Sequence, residues 1–529
     1  IIVNGAECEP YLTSDYRLMM EEPEKLVEGL KIILRLFPNA KGIIGIENNK
    51  PEAVEKIKKL VQNESKIEVV ELYTKYPQGG ERSLIFACTG RKLNSSLLPA
   101  DVGCIVDNTD TVISIYNAVA ESTPLIRRIV TITGDAVTTP QNFKVRTGTN
   151  YQELIEAAGG FKTEPKKVLS GGPMMGQALF TLDIPVTKSS SSITTFVEDE
   201  VEENPETPCI KCGRCIDVCP SYLVPVLMMD KALNDDTEGF EKLNGMECVE
   251  CGSCAYVCPA KRPLTQGFKY MRQAVAAKRM KDVCIAMIPT LAFGCFQFGL
   301  SALIVVICTV LACVLAEYLY EKVMNKPVTI GDFSAVVTGL ILALNMPPQI
   351  PVWMPILGGV FAIIVVKQLY GGLGQNFMNP ALAARCFMLI SFAGSMTNFS
   401  SVAMNYDSSS TPTPLAFLKA KGITDALEQY DLVNIFLGRI PGTIGEVSTI
   451  ALLIGAIYLV VRKVISLRIP LIYIATVAVF VFLFGDHNPT TVLYHVLSGG
   501  LIFGAFFMAT DYVSSPVTKM GQVYFAIFI

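Results

Sequence analysis

Two matched cysteine runs are the most specific chemical signal in the chain, and they hold eight of its sixteen cysteines. Each run reads C-x2-C-x2-C-x3-C-P, a spacing in which three close thiolates hold one [4Fe-4S] cluster and the fourth reaches the neighbouring cluster. The spacing predicts two sets of ligands. The first cluster set is Cys209, Cys212, Cys215 and Cys258, and the second cluster set is Cys248, Cys251, Cys254 and Cys219. Two such clusters together would carry single electrons.

Structural zinc and disulfides are the alternative uses of clustered cysteines. Zinc sites usually show two C-x2-C pairs, and disulfides need an oxidising compartment. Two four-cysteine runs that each end in proline fit neither pattern, so we expect iron–sulfur assembly in a reducing cytoplasm. Five cysteines in apolar stretches are predicted to be buried, inert thiols: Cys284, Cys295, Cys308, Cys313 and Cys386.

The composition of the 529-residue chain changes near Lys281. The part before it mixes charged and apolar residues as soluble proteins do, and the part after it consists of long apolar runs. The net charge of −4 is too small to indicate nucleic acid as a partner. Because the chain opens in an apolar strand, Ile1–Val3, and stops in the apolar segment Phe525–Ile529, it also reads as fragments joined near Val275–Lys281.

Strands and helices alternate at the start of the chain. Apolar runs predict strands at Ile1–Asn4, Gly42–Glu47 and Ile67–Tyr73, and helical spacing predicts helices at Lys25–Leu36 and Pro51–Gln62. This order is typical of a parallel α/β sheet, whose ligands lie at the carboxyl ends of the strands. The acidic loop that follows the first strand is expected at such an end.

Nine or ten apolar helical segments follow Val283 and predict an all-α, polytopic membrane domain. Polar or glycine-rich breaks at Asn345–Pro348 and Gly371–Pro380 resemble the broken helices that line binding sites. Basic clusters place Lys278–Lys281 and Lys322–Lys326 on the cytoplasmic side. Most acids of this half are expected to meet water at helix ends, and an ion route through them stays a hypothesis: Glu317, Asp332, Glu446, Asp486 and Asp511.

Three stretches of the first half resemble the NADH-binding flavoprotein subunit of respiratory complex I. Asn4–Pro10 is similar to its N-A-D-E-S-E-P loop, Tyr76–Arg82 to its G-E-E segment and Val106–Thr111 to its V-N-N-V-E-T segment. The first half, through the cysteine runs, resembles the C subunit of Rnf-type electron-transport complexes still more closely. The resemblance implies an FMN and NAD(H) site lined by five residues: Asn4, Glu7, Glu9, Glu81 and Asn108.

A Ser/Thr/Pro loop in the second half resembles the D-G-x-S-G-A-T-P-L stretch of the D subunit of Rnf complexes, kin to the B subunit of the sodium-pumping NADH:quinone oxidoreductase. In that family a threonine carries FMN through a phosphoester bond added outside the cytoplasm. The resemblance implies Thr413 as the acceptor, with Asp407 and Ser410 matching the flanking motif and Thr411 as an alternative acceptor.

We therefore expect a multi-domain chain. Its predicted parts are an α/β FMN/NADH-binding domain at 1–126, a β-grasp module and linker at 127–200 and a ferredoxin-like domain with two [4Fe-4S] clusters at 201–278. A multi-span membrane domain at 279–529 would contain the covalent-flavin loop at 405–418.

The resemblances imply an ion-translocating ferredoxin:NAD oxidoreductase. Its cofactors would be the two clusters, a noncovalent FMN, a covalent FMN and NAD(H), with riboflavin as a further candidate. Its partners would be other subunits of the same complex, ferredoxin, sodium or protons, and the lipid bilayer. The chain would lie in the cytoplasmic (inner) membrane of a bacterium or archaeon, with its soluble half in the cytoplasm and the covalent-flavin loop outside.

No side chain is assigned a catalytic acid or base role, because the cofactors would supply the electron chemistry. Two other functions stay open at this point. One is a quinone-reducing NADH dehydrogenase, and the other is a transporter with a regulatory iron–sulfur domain.

Overall fold

The computed structural model describes residues 1–95, 97–199, 203–324, 326, 328–374, 376, 378–399, 413–511, 513–516 and 519–529. It divides into two compact units, Ile1–Arg272 and Gln273–Ile529. Each unit has its own apolar core.

The first unit begins with a four-stranded parallel sheet in the order β3-β2-β1-β4. The strands are β1 (Ile2–Gly5), β2 (Gly42–Glu47), β3 (Ile67–Leu72) and β4 (Val106–Asn108). The helices are α1 (Ser14–Glu21), α2 (Pro23–Leu36), α3 (Pro51–Val61), α4 (Glu81–Thr89) and α5 (Thr109–Ala120), with a 3-10 turn at Pro99–Val102. The elements predicted over the first 73 residues are confirmed to within two residues at their ends.

Helix α2 illustrates why these elements form where they do. Pro23 occupies its first turn, where a missing N–H removes no intrahelical bond. Leu26, Leu30 and Leu34 recur at the spacing of one helix face and are buried against the sheet. The polar residues of α2 face outward, so the sheet and its helices share one core.

A five-stranded mixed sheet follows, in the order β6-β5-β9-β7-β8. Its elements are β5 (Arg127–Gly134), β6 (Gln141–Arg146), α6 (Tyr151–Ala157), β7 (Lys167–Ser170), β8 (Gln177–Ala178) and β9 (Ser192–Phe196). Strands β5 and β9 pair in parallel at its centre, and α6 packs on one face through Tyr151 and Leu154. One helix on a mixed sheet agrees with the predicted β-grasp module.

The two cysteine runs form a structural repeat. Gly213 and Gly252 hold equivalent left-handed conformations, with φ of +79° and +80°, directly before two short helices. The helices and 3-10 turn of this domain are Arg214–Asp217, Pro225–Leu233, Thr237–Lys242, Gly245–Glu247 and Ser253–Tyr256. Its core contains Met228, Phe240 and Phe268.

The second unit is helical. Three helices of the described residues are long and apolar enough to cross a membrane: Leu264–Phe298, Leu300–Val323 and Trp353–Tyr370. The bent pair Pro489–Leu497 and Leu501–Met508 (64°) would make a fourth span. The other helices are Ser334–Leu344, Pro380–Ser391, Ala393–Met396, Pro414–Lys421, Ile423–Gln429, Leu432–Leu437, Thr449–Val461, Arg468–Phe484 and Lys519–Phe528.

Several of the nine or ten predicted segments are too short to span a bilayer alone, because glycine, asparagine and proline end the helices, as after Leu344. The predicted junction at residues 275–281 lies within the helix Leu264–Phe298. The expectation for one cysteine of this half is wrong. Cys386 is exposed rather than buried, since it lies on an outward face of Pro380–Ser391.

Candidate functional site

The order of the first sheet creates a crevice between β1 and β4. The chain moves outward from β1 to β2 and β3 and then returns to the other side of β1, and parallel sheets bind ligands where this reversal occurs. Asn4 and Asn108 are direct neighbours in the pairing of these two strands, at their carboxyl ends. The Asn4 amide donates to the Gly79 carbonyl oxygen (2.9 Å), and the Asn108 side chain accepts from the Asp110 N–H at the start of α5.

Glu7 and Asp15 form a carboxylate pair beside this crevice. Glu7 accepts the backbone N–H groups of Asp15 (2.9 Å) and Tyr16 (3.2 Å) at the first turn of α1. Burial, and then the Asp15 carboxylate, raise the pKa of Glu7 to about 7. Burial also raises the pKa of Asp15, although Asn108 donates to it at 2.8 Å. The pair is therefore linked directly to the crevice.

Glu9 and Glu81 are placed differently from the other predicted residues. Glu9 accepts the backbone N–H groups of Met174 (2.8 Å) and Met175 (3.0 Å), in the glycine-rich turn after β7. The sequence of this turn lacks the lysine of a phosphate-binding loop, and these bonds give it a structural role. Glu81 is exposed at the first residue of α4. The structure thus joins Asn4, Glu7 and Asn108 at the crevice, while Glu9 faces the β-grasp module.

Sequence reasoning missed two charged residues near the crevice. Glu47 ends β2 and is fully buried, and its Oε2 accepts from Lys50 Nζ at 3.0 Å. Lys50 also donates to the Glu7 carbonyl oxygen at 3.1 Å. Glu47 Oε1 has no hydrogen-bond partner among the described residues. The sequence signal that could have identified Glu47 is its position as an acidic residue at the carboxyl end of β2, the strand next to β1.

The second cluster set lines one cavity. Its walls include Cys219 from the first run together with Cys248, Cys251 and Cys254 from the second. This is the crossed set that the spacing predicts. Burial is the main cause that raises the pKa of the Cys215 thiol, and among the neighbouring thiols Cys258 raises it most. Cys258 therefore lies near Cys215.

No three His, Cys, Asp or Glu side chains of the described residues converge closely enough to hold a single metal ion. A cubane holds four thiolates on separate iron corners, and four cysteines that line one cavity fit this arrangement.

A cavity in the second unit contains Thr413. Arg385 and Glu446 also line it and form an ion pair (3.2 Å). Thr413 caps the helix Pro414–Lys421 by accepting the Ala416 N–H at 3.4 Å. The alternative acceptor Thr411 and the motif residues Asp407 and Ser410 lie outside the described residues.

A second cavity in this unit has apolar walls and a few polar groups. Asn376, Asn379, Asp511 and Lys367 are among the polar residues that line it. Asn379 donates to Asp511 at 3.4 Å. Amide and carboxylate groups in an otherwise apolar pocket are typical of a site for a flat organic ligand.

The expectation that the acids of this half meet water is wrong for Glu317. Its side chain is fully buried, and its Oε1 accepts from Lys367 Nζ (2.5 Å) and from Gln368 Nε2 (2.7 Å). Ser334 also accepts from Lys367, at 2.6 Å. The helical packing of the unit encloses this ion pair, and sequence position alone did not reveal it.

These features define a class of protein: a multi-domain chain with a parallel α/β sheet, a mixed sheet and a cysteine-rich repeat, followed by a helical unit with candidate membrane spans. Four family models match the chain in order along its length. They are the Nuo51 FMN-binding domain at residues 1–117, the SLBB domain at 129–178, the 4Fe-4S dicluster domain at 208–261 and the NQR2, RnfD, RnfE family at 269–529. FMN and iron–sulfur clusters are the cofactors that these domains indicate.

Two kinds of curated relatives match the two halves. Over 272 residues the chain is 49% identical to the C subunit of the proton-translocating ferredoxin:NAD(+) oxidoreductase complex of Clostridium ljungdahlii, covering 51% of this chain and 59% of the relative. Over 251 residues it is 48% identical to the D subunit of the Na(+)-translocating complex of Acetobacterium woodii, covering 47% of this chain and 77% of the relative.

A third relative is the C subunit of the Acetobacterium woodii complex, which is 44% identical over 281 residues, with 53% of this chain and 63% of the relative covered. The chain thus spans about three fifths of the length of these two C-subunit relatives. The chain belongs to the NQR2, RnfD, RnfE family through its second half, and its first half is similar to the C subunits of the same complexes.

Proposed function

We propose that the chain transfers electrons between NAD(H) and ferredoxin and couples this transfer to the movement of sodium ions or protons across a cytoplasmic membrane. It would act within a complex of further subunits, with its first unit in the cytoplasm. The observation that carries the proposal is that one chain combines a part similar to the C subunit with a part similar to the D subunit, each containing a candidate redox-cofactor site.

In the first unit, Asn4, Glu7 and Asn108 would bind FMN and the nicotinamide nucleotide at the crevice, with Glu9 and Glu81 at its margin. FMN bound there would exchange a hydride with the nucleotide and single electrons with the clusters. The N–H groups that hold Glu7 and the amide that holds Asp15 fix these carboxylates in place. Their orientation would then restrict how the nucleotide enters.

The eight cysteines of the two runs would hold the two [4Fe-4S] clusters in the crossed arrangement. The four-cysteine cavity supports this assignment for the second cluster set. Burial of Cys251 and Cys254 would exclude water from that cluster. Exclusion of water and hydrogen bonds to sulfur are the means by which a protein sets a cluster potential.

In the second unit, Thr413 would carry a phosphoester-linked FMN. Thr413 lines the same cavity as Arg385, whose guanidinium is suited to a phosphate. The cavity lined by Asn376, Asn379 and Asp511 would take a further, noncovalent flavin such as riboflavin. A flavin fixed in the membrane unit is what would connect electron flow to ion movement.

The test is in-gel flavin fluorescence under denaturing conditions, with the chain expressed beside a flavin transferase. We expect fluorescence that survives denaturation in the wild type and in the matched control Thr411→Ala, and its loss in Thr413→Ala. The reverse pattern would move the acceptor to Thr411. An unlabelled wild type would overturn the covalent flavin and with it the proposed link to ion transport.

A further inference from the structure

Tyr76 connects the crevice domain with a cluster ligand of the same unit. Its hydroxyl donates to the backbone carbonyl oxygen of Cys251 at 2.6 Å, across 175 positions of sequence. Burial is the main cause that raises the pKa of the Tyr76 phenol, and the Glu9 carboxylate is the next. Glu9 therefore lies close to this phenol. Tyr76 thus stands between a candidate nucleotide-site residue and the second cysteine run.

A second contact lies at the start of that run. Glu247, the residue before Cys248, accepts from Arg82 Nη1 (2.8 Å) and from the backbone N–H of Ser95 (2.8 Å). Tyr76 and Arg82 are the first and last residues of the segment that resembles the G-E-E stretch. This segment is therefore held against the second run at both ends.

A third contact comes from the β-grasp module. A Cβ atom on Gly252 would meet the carbonyl oxygen of Met174 at 2.7 Å, so only glycine allows this approach. The N–H of the same Met174 donates to Glu9. Met174 therefore contacts both Glu9 and Gly252, the residue that follows Cys251.

The first run has different surroundings. Cys209 and Cys212 are exposed, whereas Cys251 and Cys254 are buried. Ile210, between the two exposed cysteines, is 68% exposed. The two cluster sets are thus distinguished by burial. Tyr76 and Arg82 join the second run to a segment whose Gly79 carbonyl oxygen accepts from Asn4 at the crevice.

We propose that the second cluster set exchanges electrons directly with the crevice and that the first set exchanges them with a protein carrier at the surface. In this arrangement Tyr76 is a positioning residue that holds the Tyr76–Arg82 segment against Cys251. This inference rests on the proposed flavin and cluster binding. Oxidation of one NADH releases a hydride, equal to two electrons and one proton. The electrons would leave singly, first by the second set and then by the first set to a one-electron carrier, and the proton would go to water.

The order of the two sets is tested by electron paramagnetic resonance on the full chain, reconstituted with iron, sulfide and FMN. With NADH as reductant, we expect Cys212→Ser to leave reduction of the second cluster intact. We expect Cys251→Ser to prevent reduction of the remaining first cluster, which dithionite still reduces. The opposite pattern would reverse the order and overturn the proposal.

The positioning role is tested with both clusters present. Tyr76→Phe removes one hydrogen bond, so NADH should reduce the second cluster about two- to tenfold more slowly. Reduction by dithionite should not change. The matched control Tyr256→Phe removes an exposed phenol from the same run and should behave as the wild type. An unchanged rate in Tyr76→Phe would overturn the role of Tyr76.

A third measurement does not need nucleotide binding. A 3-fluorotyrosine at position 76 should lose its sharp fluorine resonance when the assembled clusters are reduced with dithionite, because a reduced, paramagnetic cluster then lies nearby. The broadening should persist in Cys212→Ser and disappear in Cys251→Ser. If NADH reduced no cluster in the wild type but this pattern held, the proposed function would fail and the placement of the second set would stand; broadening that depended on Cys212 would overturn the placement.

Discussion

Each unit encloses a carboxylate, partly in the first unit and fully in the second, and the two are stabilised in different ways. In the first unit, Glu7 lies beside a second carboxylate, Asp15, and receives backbone N–H groups from the first turn of a helix. In the second unit, Glu317 receives its donors from the side chains of Lys367 and Gln368. The first site is rich in negative charge, and the second site is an ion pair.

The difference follows from the surroundings of each site. A helix in a soluble domain offers unpaired N–H groups at its first turn, and these favour a carboxylate. Within a membrane-spanning helix, the backbone groups are already bonded to each other, so only side chains can serve. Lys367 ends the π-helix Phe361–Lys367, Gln368 begins the 3-10 turn that follows, and both side chains donate to the same oxygen of Glu317.

The largest expected effect comes from breaking the buried ion pair. Glu317→Ala would leave the Lys367 ammonium enclosed without its carboxylate, and we expect a loss of about 3–5 kcal/mol in unfolding free energy. The chain has a single tryptophan, Trp353, in the second unit. Its fluorescence during thermal unfolding in detergent therefore reports on this unit alone.

The double variant Glu317→Leu with Lys367→Met is the matched control. It removes both charges and keeps apolar volume, and replacement of a whole buried pair is often close to neutral. We expect it to recover most of the stability that Glu317→Ala loses. Equal destabilisation of the single and double variants would show that the pair acts through shape rather than charge.

The second prediction concerns the pH dependence of the carboxylate pair. Folding raises the pKa of Glu7 from 4.5 to about 7, so the folded chain holds this proton more tightly than the unfolded chain. The resulting stabilisation is complete below pH 4.5 and is lost as the pH rises through 7. A shift of this size corresponds to about 3 kcal/mol.

The measurement is hydrogen exchange of the α1 peptide in the full chain, followed from pH 5 to 8 in the wild type and in Glu7→Gln. The glutamine cannot ionise, so α1 should be more protected in the variant than in the wild type at pH 8. At pH 5 the order should reverse slightly, because the new amide no longer accepts the Tyr16 N–H. Parallel pH profiles of the two proteins would contradict the shifted pKa.

Sequence predicted well what depends on local pattern. The cysteine spacing predicted a four-cysteine set that one cavity brings together. Apolar periodicity predicted β1, β2 and β3 of the first sheet and the helices α2 and α3, but not β4, α1, α4 or α5. The contacts that organise the sites were not predictable. Glu9 meets Met174 across 165 positions, and Lys367 meets Glu317 across 50. Such contacts arise from tertiary packing, and no local pattern encodes them.

The membrane half shows the same division. Hydropathy predicted apolar helices and the break that follows Leu344, because both depend on local composition. Glu317 is buried beside Lys367 and Gln368, which lie about fifty positions further along the chain, so its own surroundings in the sequence do not reveal its burial. Acidic residues at predicted helix ends are therefore poorly classified from sequence alone.

The smallest expected effect is at an exposed ion pair, which tests whether burial explains the contrast between the two units. Lys31 in α2 pairs with Glu28 (2.8 Å) and Glu64 (2.7 Å), and all three side chains are about one third exposed or more. Lys31→Met should change the protection of the α2 peptide by less than about 1 kcal/mol. Salt screens exposed charges over about 3 Å at 1 M, so this small difference should vanish there. The effect of Glu317→Ala should persist in the same salt, because packed helices exclude ions from Lys367; a loss of that effect in salt would mean that the membrane pair is open to water.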